Sequence, residues 1–484
     1  MLKDYQLEWF ENNLRPEQSN RVVLAGGKGP ISNADISCYV LTYKTLEELY
    51  NIDNAFKTKV ENCECVFIKP NLTQTPSFFE DDEKLDRPFS NGVNTSVFAC
   101  QAVVDFLLEN DVPNCYLGES VVWTSTTHDT FDECGYTELF LDYGDAVDLI
   151  DLRTTEEDVE VGMYGAVNEI DKPEAQLTIP LEGDFAVTAR NTVMQCLKNT
   201  KFENKLDKLI DNNLSFTLNK TIEDIDLFIS VAKLKTHTQM LFSGAIKNRF
   251  GLLEPPSRRH AAHLRIDPLW RNQTRYELAI SFEYLTTLIC NLDRALTTFF
   301  EKRKIGQLDI IEGGFWALEG DGPLWHGHER RENVVLATYN NPLAIDTIAT
   351  ELMFTDIAPS DTYQERFKHH AAAFFERNNL PKDSIAFTTL ENDLYNFYPI
   401  SFAQKQQLGE SDLSKIGIWM YDLDRTPHYP EDMRQGGLFL SPIPFKSIAS
   451  LTHRAYGVLF EEFPDLRDEK IVVVEKKARP KHSS

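Results

Sequence analysis

Short apolar runs of strand length recur along this chain with helical stretches between them, and that alternation narrows the available folds more than any other sequence feature. Val66-Phe67-Ile68 is one such run, closed by Lys69-Pro70-Asn71 because proline has no N–H to give a ladder. Others are NCYLGES (114–120), LFISV (227–231), LDII (308–311) and VVLATY (334–339). Between them, VNTSVFACQAVVDFLLEND (93–111) has helical periodicity, with Asn94, Thr95 or Ser96 as candidate caps. YELAISFEYLTTLICNLDRALTTFFEKRK (276–304) is the strongest helical stretch. Strands alternating with helices predict an α/β fold with a doubly wound, mostly parallel sheet. In such sheets ligands sit beyond the carboxyl ends of the strands, where Lys69, Asn71 and Glu119 fall.

Other stretches refine this outline. RVVLAGG (21–27) reads as an edge strand before a turn, and AGGKGP lacks the spacing of a phosphate-binding loop. YKTLEELYNIDNAF (43–56) reads as one amphipathic helix with Leu46 and Leu49 on a shared face. Residues 154–200 carry the acidic group Glu156, Glu157, Asp158 and Glu160 and little periodicity, as an inserted β-rich segment or small subdomain would, spanning about 154–222. Beyond residue 356 the texture changes to an α+β extension (356–484) packed on the core, with IGIWMYDLD as a strand and a basic tail.

A net charge of −26 argues against nucleic acid as a partner, since that needs a basic surface to displace counterions. No apolar run is long enough to span a bilayer, and the first residues have no apolar signal core, so a cytoplasmic protein with no membrane partner is expected. None of the eight cysteines forms CxxC; reduced, buried thiols are expected. The sequence does not indicate an oligomeric state.

Against that acidic background, residues 227–263 concentrate cationic and titratable groups: Lys233, Lys235, His237, Lys247, Arg249, Arg258, Arg259, His260 and His263. If a strand ran on through Lys233, Lys235 and His237, their side chains would share one face. A solvated edge strand would also carry lysines. Lys247-Asn248 on a Gly-flanked turn favours a site, because cations on successive loop ends can converge on phosphate or carboxylate oxygens. A lysine buried among like charges can also act as base or nucleophile. His260 and His263 have helical i, i+3 spacing and, with His237, could ligate a divalent metal, although no HExxH signature accompanies them. Glu319 and Asp321 sit on a glycine-rich turn, where they could act as acid and base or hold a cation. Asp346 starts an apolar helical stretch, as a cap or a buried partner would. His326 and His328, beside an acidic turn, could bind metal but read first as a surface loop, and His369-His370 read as a helix face with charged neighbours and no role.

IKPNL (68–72), GES (118–120), KLKTH (233–237), GAIKNRFG (244–251), His263, EGDGP (319–323) and Asp346 occur in the order and spacing of the domain of unknown function 362 family. The chain resembles that family over roughly residues 21–355, and several separated motifs in register make the resemblance specific. Many relatives carry a ferredoxin-like module with two four-iron clusters; the cysteine spacing for it is missing here, so an iron–sulfur cofactor is not expected. Glu312 stands where relatives more often have aspartate. Residues and resemblance together lead us to expect an enzyme acting on a small anionic metabolite. Lys235, His237, Glu319 and Asp321 would be catalytic, and Lys69, Asn71, Glu119, Lys233, Lys247, Asn248 and His263 would bind substrate. Isomerase, lyase and group-transfer chemistry all fit such a pocket. A non-catalytic protein that holds a cofactor, metal or partner is the alternative.

Overall fold

The structure is a computed structural model. It describes residues 21–27, 34–72, 94–121, 126–153, 155–157, 169–171, 173–198, 200, 202–237, 241–253, 275–313, 318–319, 329–330, 334–342, 345–346, 349 and 416–422. An eight-stranded sheet runs through the centre. Its strands in chain order are β1 (Arg21–Gly27), β2 (Cys65–Pro70), β3 (Asn114–Glu119), β4 (Val147–Asp151), β5 (Leu227–Lys233), β6 (Gly306–Glu312), β7 (Val334–Tyr339) and β8 (Ile416–Asp422). The spatial order is β8-β1-β7-β6-β5-β2-β3-β4. The five strands from β6 to β4 are parallel, and β7, β1 and β8 are added antiparallel to one another. The fold is therefore the α/β class with a mostly parallel sheet. β1 lies between β7 and β8 rather than at an edge, because a strand from the C-terminal part of the chain pairs along its whole length.

Both faces of the sheet are covered, as a parallel sheet requires. Val66 and Ile68, Leu227 and Ile229, and Leu308 and Ile310 point into one apolar cluster with helices α1 (Ala34–Ile52), α2 (Asn54–Glu61) and α3 (Val97–Glu109). The alternate residues Phe67 and Phe228 point into the other cluster, with α4 (Gly183–Leu197), α5 (Leu206–Leu214) and the long α7 (Arg275–Arg303). Residues 43–56, expected as one helix, are broken at Asp53, whose carboxylate accepts from the N–H groups of Ala55 and Phe56 at 3.0 Å and starts α2. The segment expected to be β-rich holds two short two-stranded ladders, yet α4 and α5 make it substantially helical. Of the C-terminal extension only β8 is described.

Connectivity places one position apart. From β2 the chain moves outward through β3 to β4; from β5 it moves the other way to β6. β2 and β5 are neighbours, so the direction of winding reverses between them. A crevice opens beyond the carboxyl ends of strands at such a reversal, because the connecting segments diverge.

Candidate functional site

Four adjacent parallel strands carry a charged residue at, or one short of, their carboxyl ends. Across the sheet in the order β6, β5, β2, β3, these are Glu312, Lys233, Lys69 and Glu119. The two lysines flank the winding reversal, and each meets the carboxylate on its outer side. Lys233 Nζ lies 2.9 Å from Glu312 Oε1, and Lys69 Nζ lies 2.6 Å from Glu119 Oε2; all four side chains are at most 2% exposed. Buried ion pairs persist only where the leftover lone pairs and protons are also satisfied. Here they are. Glu312 accepts from the Ser96 N–H at the start of α3 (2.8 Å), where the helix N-terminus favours a negative charge. Glu119 accepts from the N–H groups of Leu72 and Ser120, each at 2.8 Å, and Lys69 donates also to the Pro70 carbonyl at 2.7 Å.

Two further amines approach this row. After Lys233 the chain leaves the sheet: the Leu234 N–H donates to the Glu312 carbonyl at 2.9 Å, and Lys235–His237 becomes a short strand of a second sheet. Lys233 and Lys235 therefore do not share the face of one strand, as expected from their spacing. They converge anyway. Lys235 is 2% exposed, and burial together with the neighbouring cations Lys247, Lys233 and Lys69 holds its amine well below the usual lysine range, against a smaller opposing pull from Glu119. Lys247 comes from the short helix α6 (Ala245–Asn248) and is partly exposed. Burial of its ammonium and the nearby Lys69 lower it to about 8.

The α6 segment is fixed from both sides. Asn248 donates to the Lys69 carbonyl (3.1 Å) and the Ser230 hydroxyl (3.0 Å), locking the segment over β2 and β5. Gly251 follows so closely that a Cβ there would lie 2.8 Å from Lys69 Nζ and 3.2 Å from Glu119 Oε1; only glycine leaves that space. Asp346 accepts from the N–H groups of Ala245 (2.6 Å) and Ile246 (3.1 Å), as an N-cap does for the first turn of a helix. Burial outweighs those two hydrogen bonds and pushes its carboxyl up to about 8. Beneath, the fully buried Arg249 reaches Asp293 at 2.6 Å and Asp309 at 3.0 Å. Burial works against its charge, but these carboxylates hold the guanidinium above its ordinary range.

Of the residues expected at the site, Lys69, Glu119, Lys233, Lys235 and Lys247 come together. Asn71 is buried nearby, its backbone N–H on Thr95 Oγ1 (2.8 Å), and Asn248 has a framework role. Lys235–His237 pairs in parallel with the strand Leu318–Glu319, with Lys235 opposite Leu318, so the backbone of Glu319 lies one residue further along; the side chains of His237 and Glu319 are outside the described residues. Asp321, His260 and His263 are outside them too, as are His326, His328, His369 and His370. Among the described residues no group of three or more His, Cys, Asp or Glu side chains is placed to hold a metal ion. Glu312, Arg249 and Gly251 stood out in the sequence without these partners being assigned, and Asp293 and Asp309 were not expected there. Asp309 within the apolar run LDII and Asp293 within an apolar helix were the available signals, since a buried acid needs a partner.

No curated protein matches the sequence. Among solved structures, a crystal structure of a protein from Thermotoga maritima is similar at 12% identity and a TM-score of 0.31, over 60% of this chain and 54% of that one. This chain thus spans about half the length of that one, and a likeness so low carries no argument. Residues 185–351 match the family model described as domain of unknown function (DUF362). They include KLKTH, GAIKNRFG, EGDGP and Asp346, while IKPNL and GES lie upstream of the match. That segment, which supplies Lys233, Lys235, Lys247 and Arg249, is what this chain shares with the domain of unknown function 362 family model.

Proposed function

We propose that this protein is a cytoplasmic enzyme that binds a small carboxylate- or phosphate-bearing metabolite at the winding reversal of its sheet. The observation that carries this reading is the gathering of four lysine amines, Lys69, Lys233, Lys235 and Lys247, around two carboxylates in a largely buried space. Crowding like charges away from water is costly, and an arriving anion relieves that cost directly. Lys69 and Lys233 keep their carboxylate partners and fix the floor of the site. Lys247, partly exposed, is placed to meet the anion first. Lys235 lies deeper, within the field of the other three. Seven free thiols among the described residues suit a reducing compartment; no described helix is long and apolar enough to cross a membrane.

Isothermal titration of the full chain at pH 7 tests the reading, using inorganic phosphate and oxalate as probes and oxamide as the uncharged control. Both anions should bind and oxamide should not, with Lys247→Met weakening the anions by about tenfold, the loss of one charge-assisted contact. Binding of neither anion, or equal binding of oxamide, would remove the basis for an anion site.

A further inference from the structure

We infer that the other end of the sheet carries a second ligand site, a cavity between the start of β6, the end of β7 and the end of α7 that takes a free α-amino acid. The cavity holds about 200 Å³ and none of the clustered lysines lines it. Strands rise about 3.3 Å per residue, so the start of β6 lies about 20 Å from Glu312 at its carboxyl end. A space of this size suits one small metabolite, since a cavity of about 150 Å³ already takes a benzene ring. Gln307 lines it and is 3% exposed, and its buried Oε1 accepts from no group among the described residues. Its main chain is fully used: the N–H donates to Asn340 Oδ1 at 2.9 Å, and the carbonyl accepts from the Asn340 N–H at 2.7 Å. The carboxamide oxygen alone is left over, and an unpaired buried acceptor is costly unless a ligand supplies a donor. The last torsion of a glutamine is broad, so that oxygen can turn toward a ligand.

The remaining walls offer both signs of charge. Lys59 of α2 gives one N–H to the Lys304 carbonyl at 2.9 Å, and an ammonium has two more to give. Lys304, just past α7, lines the cavity as well and has no acid partner among the described residues. Opposite charge comes from Glu301 and from the carbonyl end of the 29-residue α7. Tyr339 adds a hydroxyl that keeps its proton, since burial pushes it up to about 12. Gly306 makes the room: a Cβ there would lie 2.7 Å from Tyr339 Oη and 2.9 Å from Lys59 Cγ, so only glycine admits both side chains. An α-amino acid carries the two complementary groups one carbon apart. Its carboxylate meets Lys59 and Lys304, and its ammonium donates to Gln307 Oε1 toward the negative end of α7. A simple anion would leave Gln307 without a donor, and a simple cation would face two ammonium groups.

Saturation-transfer NMR of the full chain with a mixture of the standard L-amino acids tests this, followed by calorimetric titration of each amino acid that responds and of its N-acetyl and amide derivatives. At least one amino acid should bind at a single site per chain. Each derivative should bind about tenfold more weakly, having lost one charge-assisted contact. Gln307→Met and Lys304→Ala should each weaken the amino acid about tenfold and leave oxalate affinity unchanged. Gln307→Met should not lower the urea midpoint, because it removes an unpaired acceptor and breaks no side-chain bond. If that variant does not fold, Lys304→Ala, at an exposed position, decides in its place. No response from any amino acid, equal binding of the derivatives, or full affinity in the variants overturns the inference. Competition by oxalate overturns it too, since the amino acid would then sit at the lysines.

Discussion

Two charge clusters meet at residues 244–251, and they are built on opposite terms. Below the segment, one cation is surrounded by acids: Arg249 bonds Asp293 and Asp309, and the carboxylate of Asp346 lies close enough to add to its field. Above it, among the described residues, four lysine amines gather near two carboxylates, Glu119 and Glu312. A guanidinium suits the first, since its planar fork serves several oxygens at once and keeps its proton even when buried. Amines suit the second because a lysine can give up its proton when its surroundings demand it. The lower cluster binds its one cation to acids on two elements, and the upper one is where the proposed anion would bind. The α6 segment links them: Asp346 caps its start from below, while Asn248 and Gly251 press against Lys69 from above.

Removing the lower cation should give the largest effect. Arg249→Met leaves Asp309 and Asp293 buried without their partner, and breaking a buried pair from one side costs about 3–5 kcal/mol. Urea unfolding should show that loss; an unchanged midpoint would mean the cluster contributes no structure. Gly251→Ala comes next. The added methyl must displace either Lys69, which Glu119 and the Pro70 carbonyl hold, or the α6 segment, an overpacking that costs about 1–3 kcal/mol. It should weaken oxalate binding along with stability; full affinity in this variant would show that the Lys69–Glu119 pair is not part of the anion site. Asp346→Ala removes two hydrogen bonds from the start of α6, and loss of a cap costs about 0.5–2 kcal/mol. Hydrogen exchange at Ala245 and Ile246 should accelerate, with the rest of the sheet unaffected.

The upper cluster was far more legible in the sequence than the lower one, for a physical reason. Lys69, Glu119 and Lys233 follow apolar runs, so the end of each strand locates them on the sheet. Parallel pairing then aligns those ends without further information. The pairing of Lys233 with Glu312 rather than with a ligand is a matter of register, Glu312 opposite Lys233, which periodicity does not encode. The lower cluster joins residues 44 to 60 positions apart in the chain, brought together only when α7 packs beneath α6. The break at Leu234 was likewise hidden: alternating Lys233, Lys235 and His237 look like one strand, and only the hydrogen bond from Leu234 to the end of β6 shows that the chain changes sheets.

The smallest effect distinguishes the clusters by sign. Lys247 is lowered to about 8 from the ordinary 10.5 by burial and by Lys69, and the proposed anion would bind its charged form. As pH rises through about 8 that form is lost, so oxalate should weaken about twofold between pH 7 and 8 and approach about tenfold per unit above that. Stability without ligand should move the other way. Below about 8 the amine is charged in folded and unfolded chains alike, and the folded protein carries the full cost of burying it. Between about 8 and 10.5 the unfolded chain still holds a proton that the folded one has released, so this contribution to stability rises with pH. Asp346, raised to about 8 from 3.8, has the reverse sign: its contribution is fully present below 3.8 and is lost as pH climbs to about 8. Unfolding free energies from pH 5 to 10, taken as differences from Lys247→Met and Asp346→Asn, separate the two. A Lys247 difference that is flat across pH 8, with oxalate affinity equally flat, would mean that this amine does not sit in the field of Lys69 and that the upper cluster is an ordinary charged surface.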